Sequence, residues 1–214
     1  MADQIHPTAG GHRMATCTQC QLRFPMGQLD SLPGCPHCGG ELHMGEEYHS
    51  PEPADSPPPG REVVAVLDNV RSLMNVGVIF RTSDALGIRH LYLSGITPPG
   101  DHPKMARTAL GSQETVGWSH HKHGPSLISE LQSEGWSIWA VEATPTAQQI
   151  AAITEPGQQD MPERIAMVVG HEVGGIDPDI LAVADRHVML PLRGIKRSVN
   201  VSTAFSMVAH QLTH

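Results

Sequence analysis

From Arg61 onward, short apolar runs alternate with segments whose apolar residues recur at helical spacing. The strand-like runs are Glu62–Val70, His90–Ser94, Trp136–Glu142, Ile165–Gly170 and His187–Leu192. The helix-like segments are 76–83 ahead of Gly87, Ser126–Ser133, Pro178–Ala184 and Val201–Leu212. Because strands that alternate with helices form a mainly parallel sheet with helices on both faces, residues 61–214 are predicted to form one α/β domain. The segment Gln148–Gln159 fits neither pattern and receives no prediction.

All four cysteines lie in a separate segment, residues 17–49, as two C-x-x-C pairs. The pairs are Cys17/Cys20 and Cys35/Cys38, with 14 residues between them. Each pair places two thiolates on one turn, so together they supply four sulfur ligands for a structural Zn²⁺ ion. Two alternatives stay open, a redox-active or disulfide pair and cysteines without a metal, and His37 and His43 are substitute ligands. A segment this short buries little apolar surface, so metal binding is expected to drive its folding.

The predicted domain organisation has four parts. They are a flexible tail (1–16), a zinc-ribbon-like module (17–49), a semi-rigid proline-rich linker (50–60) and the α/β domain (61–214). Residues 1–60 contain two arginines, no lysine and seven acidic residues. This balance weakens an RNA-binding role for the module and leaves protein contact or subunit packing open.

The chain of 214 residues has a formal net charge of −8 at pH 7. Since non-specific binding of nucleic acid depends on phosphate neutralisation by Lys and Arg, the charge argues against a protein that coats nucleic acid, though not against a local basic patch. The segment His120–His123 is predicted to be a solvated loop, with an RNA-facing rim as the alternative. The apolar runs are too short to cross a bilayer and the polar N-terminus is unlike a secretory signal, so a cytoplasmic protein without membrane contact is predicted.

Three segments end apolar runs with small or amide-bearing residues. They are Asn75-x-Gly77-x-x-x-Arg81, then Val169-Gly170-His171-Glu172-Val173-Gly174-Gly175-Ile176, and then Leu190-Pro191-Leu192 with Ser198-Val199-Asn200-Val201-Ser202. Glycines at strand ends let the backbone approach a flat ligand closely, which suits a cofactor pocket built from backbone groups. The chain has no G-x-G-x-x-G after its first α/β strand and no G-x-x-x-x-G-K-[S/T] loop, which argues against a nucleotide-dependent oxidoreductase.

These segments, together with Ala109–Val116, resemble the SpoU-type branch of the SPOUT methyltransferases, the TrmH-like RNA ribose methylases. The resemblance covers residues 61–214, and Val199 stands where the family more often has leucine. It implies a C-terminal trefoil knot, S-adenosylmethionine as methyl donor and transfer to a ribose 2′-hydroxyl of tRNA or rRNA. It also implies a homodimer whose active site draws on both chains. The alternative is a non-catalytic RNA-binding dimer of the same fold.

The resemblance further implies roles for individual residues. The catalytic set is Asn75, Arg81, Glu172, Ser198 and Asn200. The donor-binding set is Val169, Gly170, Glu172, Gly175, Ile176, Leu190, Leu192, Ser198, Val199 and Asn200. The RNA-binding set is Arg81, Arg193, Lys196 and Arg197. Because an arginine side chain does not lose its proton in proteins, Arg81 is expected to bind an RNA phosphate and orient the hydroxyl rather than act as a general base.

Ordinary structural roles stay open for the same residues. Asn75, Ser198 and Asn200 belong to residue types that cap helices. Glu172 is alternatively a surface carboxylate at a turn, and Arg81 a solvated charge on a helix. The basic segment 193–197 is alternatively a solvated loop.

Overall fold

The computed structural model describes residues 11–27, 31–48, 61–155, 161–195 and 198–213. The chain divides into two units, Met1–Ser56 and Pro57–His214. The predicted linker and residues 1–10 of the predicted tail lie outside the described residues. In the part of the chain that the structure describes, no helix is long and apolar enough to cross a membrane.

The N-terminal unit is a small antiparallel sheet. Its strands are β1 (His12–Cys17), β2 (Arg23–Gly27) and β3 (Leu42–Tyr48), in the order β2-β1-β3. Part of the tail prediction was therefore wrong, because residues 12–16 form most of the central strand. Ala15 and Cys17 are the only fully buried residues of this strand. An alternation of two residues is too short to recognise in a sequence. The strand forms because its backbone finds hydrogen-bonding partners on both sides.

The C-terminal unit contains a seven-stranded sheet with helices between the strands. Its strands are β4 (Glu62–Asp68), β5 (His90–Ser94), β6 (Gly117–His121), β7 (Ser137–Val141), β8 (Gln148–Gln149), β9 (Arg164–Val169) and β10 (Arg186–Met189). Its helices are α1 (Leu73–Leu86), α2 (Ala106–Ala109), α3 (Ser112–Thr115), α4 (Gly124–Ser133), α5 (Ile150–Ile153), α6 (Pro178–Val183) and α7 (Val201–Thr213). The order is β6-β5-β4-β9-β7-β10-β8, and all the described neighbours in this sheet run parallel.

Helices cover both faces of this sheet, as the alternation of strands and helices predicted. On one face, Ile79 and Phe80 of α1 and Phe205 of α7 pack on inward residues of β4 such as Leu67. On the other face, residues of α4 and α6, including Leu131 and Ile180, pack on Val64 and Val66 of the same strand. The predicted α/β class is confirmed, and the trefoil knot stays a prediction.

Helix α1 begins three residues earlier than its apolar spacing predicted. The Ser72 hydroxyl accepts from the backbone N–H of Asn75 and caps the helix. Gly87 ends it in the left-handed conformation, at φ 72°, as predicted. Because Ser72 is the N-cap, the alternative in which Asn75 caps this helix is wrong. The Asn75 side chain forms its hydrogen bonds elsewhere.

Two parts of the sheet gave weak sequence signals. Strand β6, which ends in His120 and His121, lies at the sheet edge and carries mostly polar residues. The ambiguous segment contains the two-residue strand β8 and the single-turn helix α5, and its last residues, 156–160, lie outside the described ones. Such short elements take their conformation from tertiary packing rather than from local periodicity.

Candidate functional site

A large cleft lies at the carboxyl ends of β9, β7 and β10, which are adjacent in the sheet. Its volume is about 1230 Å³. Carboxyl ends of parallel strands are where ligands bind in open α/β sheets. Its lining residues are Val141, Glu142, Ala143, Gln149, Val169, Gly170, His171, Glu172, Val173, Gly175, Val188, Met189, Leu190, Pro191, Leu192, Arg193, Gly194, Ile195, Ser198, Val199, Val201 and Ala204.

The loop after β9 forms one wall as a tight turn. His171 and Gly175 exchange two backbone hydrogen bonds of 2.9 Å, and the His171 Nδ1 atom accepts from the N–H groups of Val173 and Gly174. Gly170 cannot carry a side chain, because a Cβ there would overlap the backbone of Gly175. Gly175 has a φ of 72°, which L-residues rarely adopt. The two glycines therefore keep the wall thin and open to a ligand.

Glu172 points from this turn to the start of α1. Its carboxylate accepts from the backbone N–H of Ser72 at 2.9 Å and of Arg71 at 3.1 Å, and from the Asn75 amide at 2.9 Å. Burial alone would raise the pKa of Glu172, but its own backbone N–H, that of Ser72 and the Asn75 amide outweigh it, and the pKa is lowered. The interpretation of Glu172 as a simple surface carboxylate is therefore wrong.

Asn75 carries this network on to the terminal helix. The residue is only 8% exposed, and its Oδ1 atom accepts from the Asn200 amide at 3.1 Å. The Asn200 Oδ1 atom in turn accepts from the N–H and hydroxyl of Ser202, so Asn200 also caps α7. One hydrogen-bonded chain thus joins the three segments that the sequence singled out.

The structure brings most of the predicted donor-binding residues to the cleft. Eight of the ten line it: Val169, Gly170, Glu172, Gly175, Leu190, Leu192, Ser198 and Val199. Ile176 does not, because its side chain is 3% exposed and packs in the hydrophobic core. Asn200 does not line it either, but reaches it indirectly through Asn75 and Glu172.

The predicted RNA-binding residues are more dispersed. Arg193 is exposed at the cleft, whereas Lys196 and Arg197 lie outside the described residues. Arg81 is exposed on α1, six residues beyond Asn75, which corresponds to about 9 Å along the helix axis. Arg81 does not line the cleft of its own chain.

Glu142 is a cleft residue that the sequence analysis missed. It follows β7, and its Oε2 atom accepts from the backbone N–H of Ile176 at 3.3 Å. The available signal was its position, a carboxylate directly after a buried strand, which is where parallel sheets place binding residues. None of the segments that resemble the methylase family includes Glu142, so the resemblance did not point to it.

The four cysteines of the N-terminal unit converge on one point. Their sulfur atoms all lie within 4.8 Å of one another, with Cys17 and Cys38 at 3.5 Å and Cys20 and Cys35 at 3.6 Å. Zinc–sulfur bonds of about 2.3 Å in a tetrahedron require sulfur separations of about 3.8 Å, so the arrangement fits Zn²⁺. The backbone N–H of Cys20 opposes the effect of burial and lowers the pKa of the Cys17 thiol to about 6, while the backbone N–H of Leu22 is outweighed by burial and the neighbouring thiols, which raise the pKa of Cys20 to about 12. A thiolate at neutral pH is the form that binds metal.

Comparison with known proteins gives a consistent picture for the C-terminal unit. Residues 62–210 match the model of the SpoU rRNA Methylase family. The tRNA (guanosine(18)-2′-O)-methyltransferase of Borreliella burgdorferi is 26% identical over 147 residues, which cover 69% of this chain and 64% of the relative. The 23S rRNA (guanosine(2553)-2′-O)-methyltransferase RlmP of Bacillus subtilis is 30% identical over 149 residues, 70% of this chain and 57% of the relative. The chain thus spans about three fifths of the length of these relatives.

Solved structures share the fold. The TrmH/SpoU tRNA modifying enzyme of A. aeolicus superposes with a TM-score of 0.60 at 25% identity, covering 72% of this chain and 74% of that one. An AdoMet-bound rRNA methyltransferase from Sinorhizobium meliloti superposes with a TM-score of 0.64 at 21% identity, over 74% of this chain and 58% of that one.

Proposed function

The chain belongs to the SpoU rRNA methylase family, and from this we propose that it transfers a methyl group from S-adenosylmethionine to a ribose 2′-hydroxyl of tRNA or rRNA. The observation that carries the proposal is the hydrogen-bonded chain from Glu172 through Asn75 to Asn200 beside the cleft. It fixes residues from three distant segments around one ligand-sized space. The curated relatives, whose names describe tRNA and rRNA 2′-O-methyltransferases, support the same reaction.

The cleft has the features that an adenosyl donor needs. The bare backbone at Gly170 and Gly175 leaves space that a side chain would fill. Leu190, Leu192 and Val199 offer apolar surface and backbone groups, which suit the faces and edges of an adenine. When bound, the donor supplies an electrophilic methyl group on a sulfonium centre. The chain's own contribution is to hold that group and the RNA hydroxyl in line and in contact.

Arg81 and Arg193 are the described candidates for holding the RNA. A guanidinium binds a phosphate with two parallel hydrogen bonds and remains charged, so it positions the ribose but does not accept the hydroxyl proton. That proton would have to pass to solvent or to an RNA phosphate, while the methyl–sulfur bond of the donor would break and leave the sulfur as a neutral thioether. Lys196 and Arg197 complete the proposed basic segment.

We assign the reaction to a homodimer, because Arg81 does not reach the cleft of its own chain. Met74, which is 61% exposed, precedes Arg81 by two helical turns and lies on the same face of α1. An exposed apolar side chain on the same helix face as Arg81 is a suitable contact for a second copy of the chain. In mixtures of Arg81→Ala and Asn75→Ala chains, a mixed dimer rebuilds one intact site, so about a quarter of the wild-type activity returns. Mixtures that stay inactive would place the site within one chain.

The test of the reaction is to incubate the protein with methyl-labelled donor and either total tRNA or rRNA, then digest the RNA with nuclease and locate the label. Label on a ribose 2′-oxygen is expected, and label on a base would refute the proposal. Donor binding without label in either RNA would favour the alternative, a non-catalytic RNA-binding dimer. The intact set of Asn75, Arg81, Glu172, Ser198 and Asn200 favours the enzyme over that alternative.

The remaining assignments complete the proposal. The four-cysteine cluster holds one structural Zn²⁺, and the acidic N-terminal unit contacts protein or RNA or serves subunit packing. The reaction is placed in the cytoplasm, where tRNA and rRNA substrates are found.

A further inference from the structure

Glu142 is at the centre of the cleft. Strand β7, which it follows, lies between β9 and β10, and the loops after those two strands form opposite walls. The backbone N–H of Glu142 donates to the carbonyl of Val188 in β10, while its carboxylate reaches Ile176 beyond the β9 loop. Glu142 therefore lies between the two walls of the cleft.

The carboxylate of Glu142 has an oxygen to offer. The described lining residues include only two carboxylates, Glu142 and Glu172. Both oxygens of Glu172 accept hydrogen bonds from the start of α1. In Glu142, Oε2 accepts from Ile176, and Oε1 has no hydrogen-bonding partner among the described residues. A carboxylate oxygen only accepts hydrogen bonds, so a ligand group that meets Oε1 of Glu142 must be a donor.

The ligand group is indicated by what lies beside Glu142. Its Oε2 atom rests against Gly175, where a Cβ would come within 2.7 Å. The apolar slot for adenine, formed by Leu190 and Leu192, lies on the β10 side. Resting on the Gly175 wall, Glu142 is beside that slot rather than within it, which is where the ribose attached to an adenine would lie. A vicinal diol presents two hydroxyl donors to one carboxylate.

We propose that Glu142 binds the ribose hydroxyls of the methyl donor's adenosine and so determines that the cleft accepts a ribonucleoside. This rests on the proposed function, because it assumes an adenosyl donor in the cleft. The role is one of binding and specificity, and no bond is made or broken at Glu142.

The test measures binding rather than turnover. Full-length wild type, Glu142→Gln and Glu142→Ala are titrated with S-adenosylmethionine and S-adenosylhomocysteine by calorimetry. Adenosine, 2′-deoxyadenosine and 3′-deoxyadenosine are then used as competitors of labelled S-adenosylhomocysteine. Glu142→Gln keeps the shape over Gly175 and loses the charge, while Glu163→Gln, at an exposed carboxylate before β9, is the matched control.

Both Glu142 variants are expected to bind the two adenosyl ligands about tenfold more weakly, since a hydrogen bond to a charged group is lost. Wild type should prefer adenosine to a deoxyadenosine, and the variants should lose that preference. Loss confined to S-adenosylmethionine would overturn the proposal by showing that Glu142 faces the sulfonium charge. An unchanged preference for adenosine would overturn it as well. Failure of wild type to bind any adenosyl ligand would instead refute the proposed function, and this inference with it.

Discussion

Replacing Glu172 with glutamine tests whether the hydrogen-bonded chain at the cleft stabilises the C-terminal unit. The carboxylate accepts three hydrogen bonds, from Arg71, Ser72 and Asn75. In Glu172→Gln, the side-chain oxygen still accepts from Ser72 and Asn75, but the negative charge is gone. The side-chain NH2 group then faces the N–H of Arg71, and because both are donors this hydrogen bond is lost. Hydrogen bonds to charged groups contribute about 1.5–3 kcal/mol and neutral ones about 1 kcal/mol. Because Arg71 is exposed, water replaces part of its lost hydrogen bond. We therefore expect Glu172→Gln to lower the free energy of unfolding by about 2 kcal/mol.

The cost should depend on pH in a defined direction. The pKa of Glu172 is lowered in the folded chain from its ordinary value of 4.5. A carboxyl with a lowered folded pKa stabilises the fold above its unfolded pKa, and the contribution is lost as the pH falls through the folded pKa. The difference between wild type and Glu172→Gln should therefore be complete at pH 7 and shrink below about pH 4.5.

The assay is thermal or urea unfolding of the C-terminal unit at pH 7 and at several acidic values. A loss of about 2 kcal/mol corresponds to roughly 4–8 °C for a domain of this size. Glu163→Gln serves as the control, because that carboxylate is exposed. Equal stability of wild type and Glu172→Gln at pH 7, or a difference that does not change with pH, would refute the reasoning.

Three other predictions address separate parts of the molecule. Arg81→Ala and Arg81→Lys should both lose most turnover while the calorimetric affinity for S-adenosylmethionine is unchanged; loss of donor binding in both would contradict the assignment to RNA. Gly170→Ala should destabilise the fold by about 1–3 kcal/mol and weaken donor binding, because its Cβ overlaps the backbone of Gly175. Gly174→Ala is the control, since its Cβ would lie 3.6 Å from its nearest neighbour. Its melting temperature and its calorimetric affinity for the donor should be close to those of wild type. Atomic absorption should find one zinc per chain, and Cys17→Ser should release it and unfold the N-terminal unit by circular dichroism; full occupancy in that variant would place the metal elsewhere.

Sequence periodicity predicted the sheet and its covering helices because buried strands and amphipathic helices repeat over several residues. It missed the edge strand β6, whose sequence Gly117–His121 is polar, and the strand containing residues 12–16. Strand β6 pairs with β5, more than twenty residues earlier, and β1 pairs with both β2 and β3, so hydrogen bonds to partner strands rather than a local apolar pattern define these two strands. Cysteine spacing succeeded for a different reason, because two turns of fixed geometry suffice to bring four thiolates together.

The site was predictable in its segments but not in its connections. Glu172 and Asn75 are 97 residues apart, and Asn75 and Asn200 are 125 apart, yet each pair shares a hydrogen bond. Glu172 was expected to brace the pocket or to meet the donor; it lines the cleft, and both oxygens of its carboxylate accept hydrogen bonds from the start of α1. Ile176 was expected to contact the donor, but only its backbone faces Glu142 while its side chain fills the core. The residue types at the strand ends therefore indicated the cleft. They did not indicate which side chains form internal hydrogen bonds or core contacts instead of facing a ligand.

The position of Glu142 depends on the order of the strands in the sheet and not on their order in the sequence. In sequence, β7 precedes β9 by more than twenty residues and carries none of the segments that resemble a family. In the sheet it lies between β9 and β10, so its last residue is bordered by both loops that line the cleft. Both oxygens of the Glu172 carboxylate accept hydrogen bonds within the chain. Among the described carboxylates that line the cleft, Glu142 is therefore the one with an oxygen left for a ligand. In this fold, the first polar residue beyond each of several neighbouring strands is thus a stronger candidate for ligand binding than residues that are adjacent only in sequence.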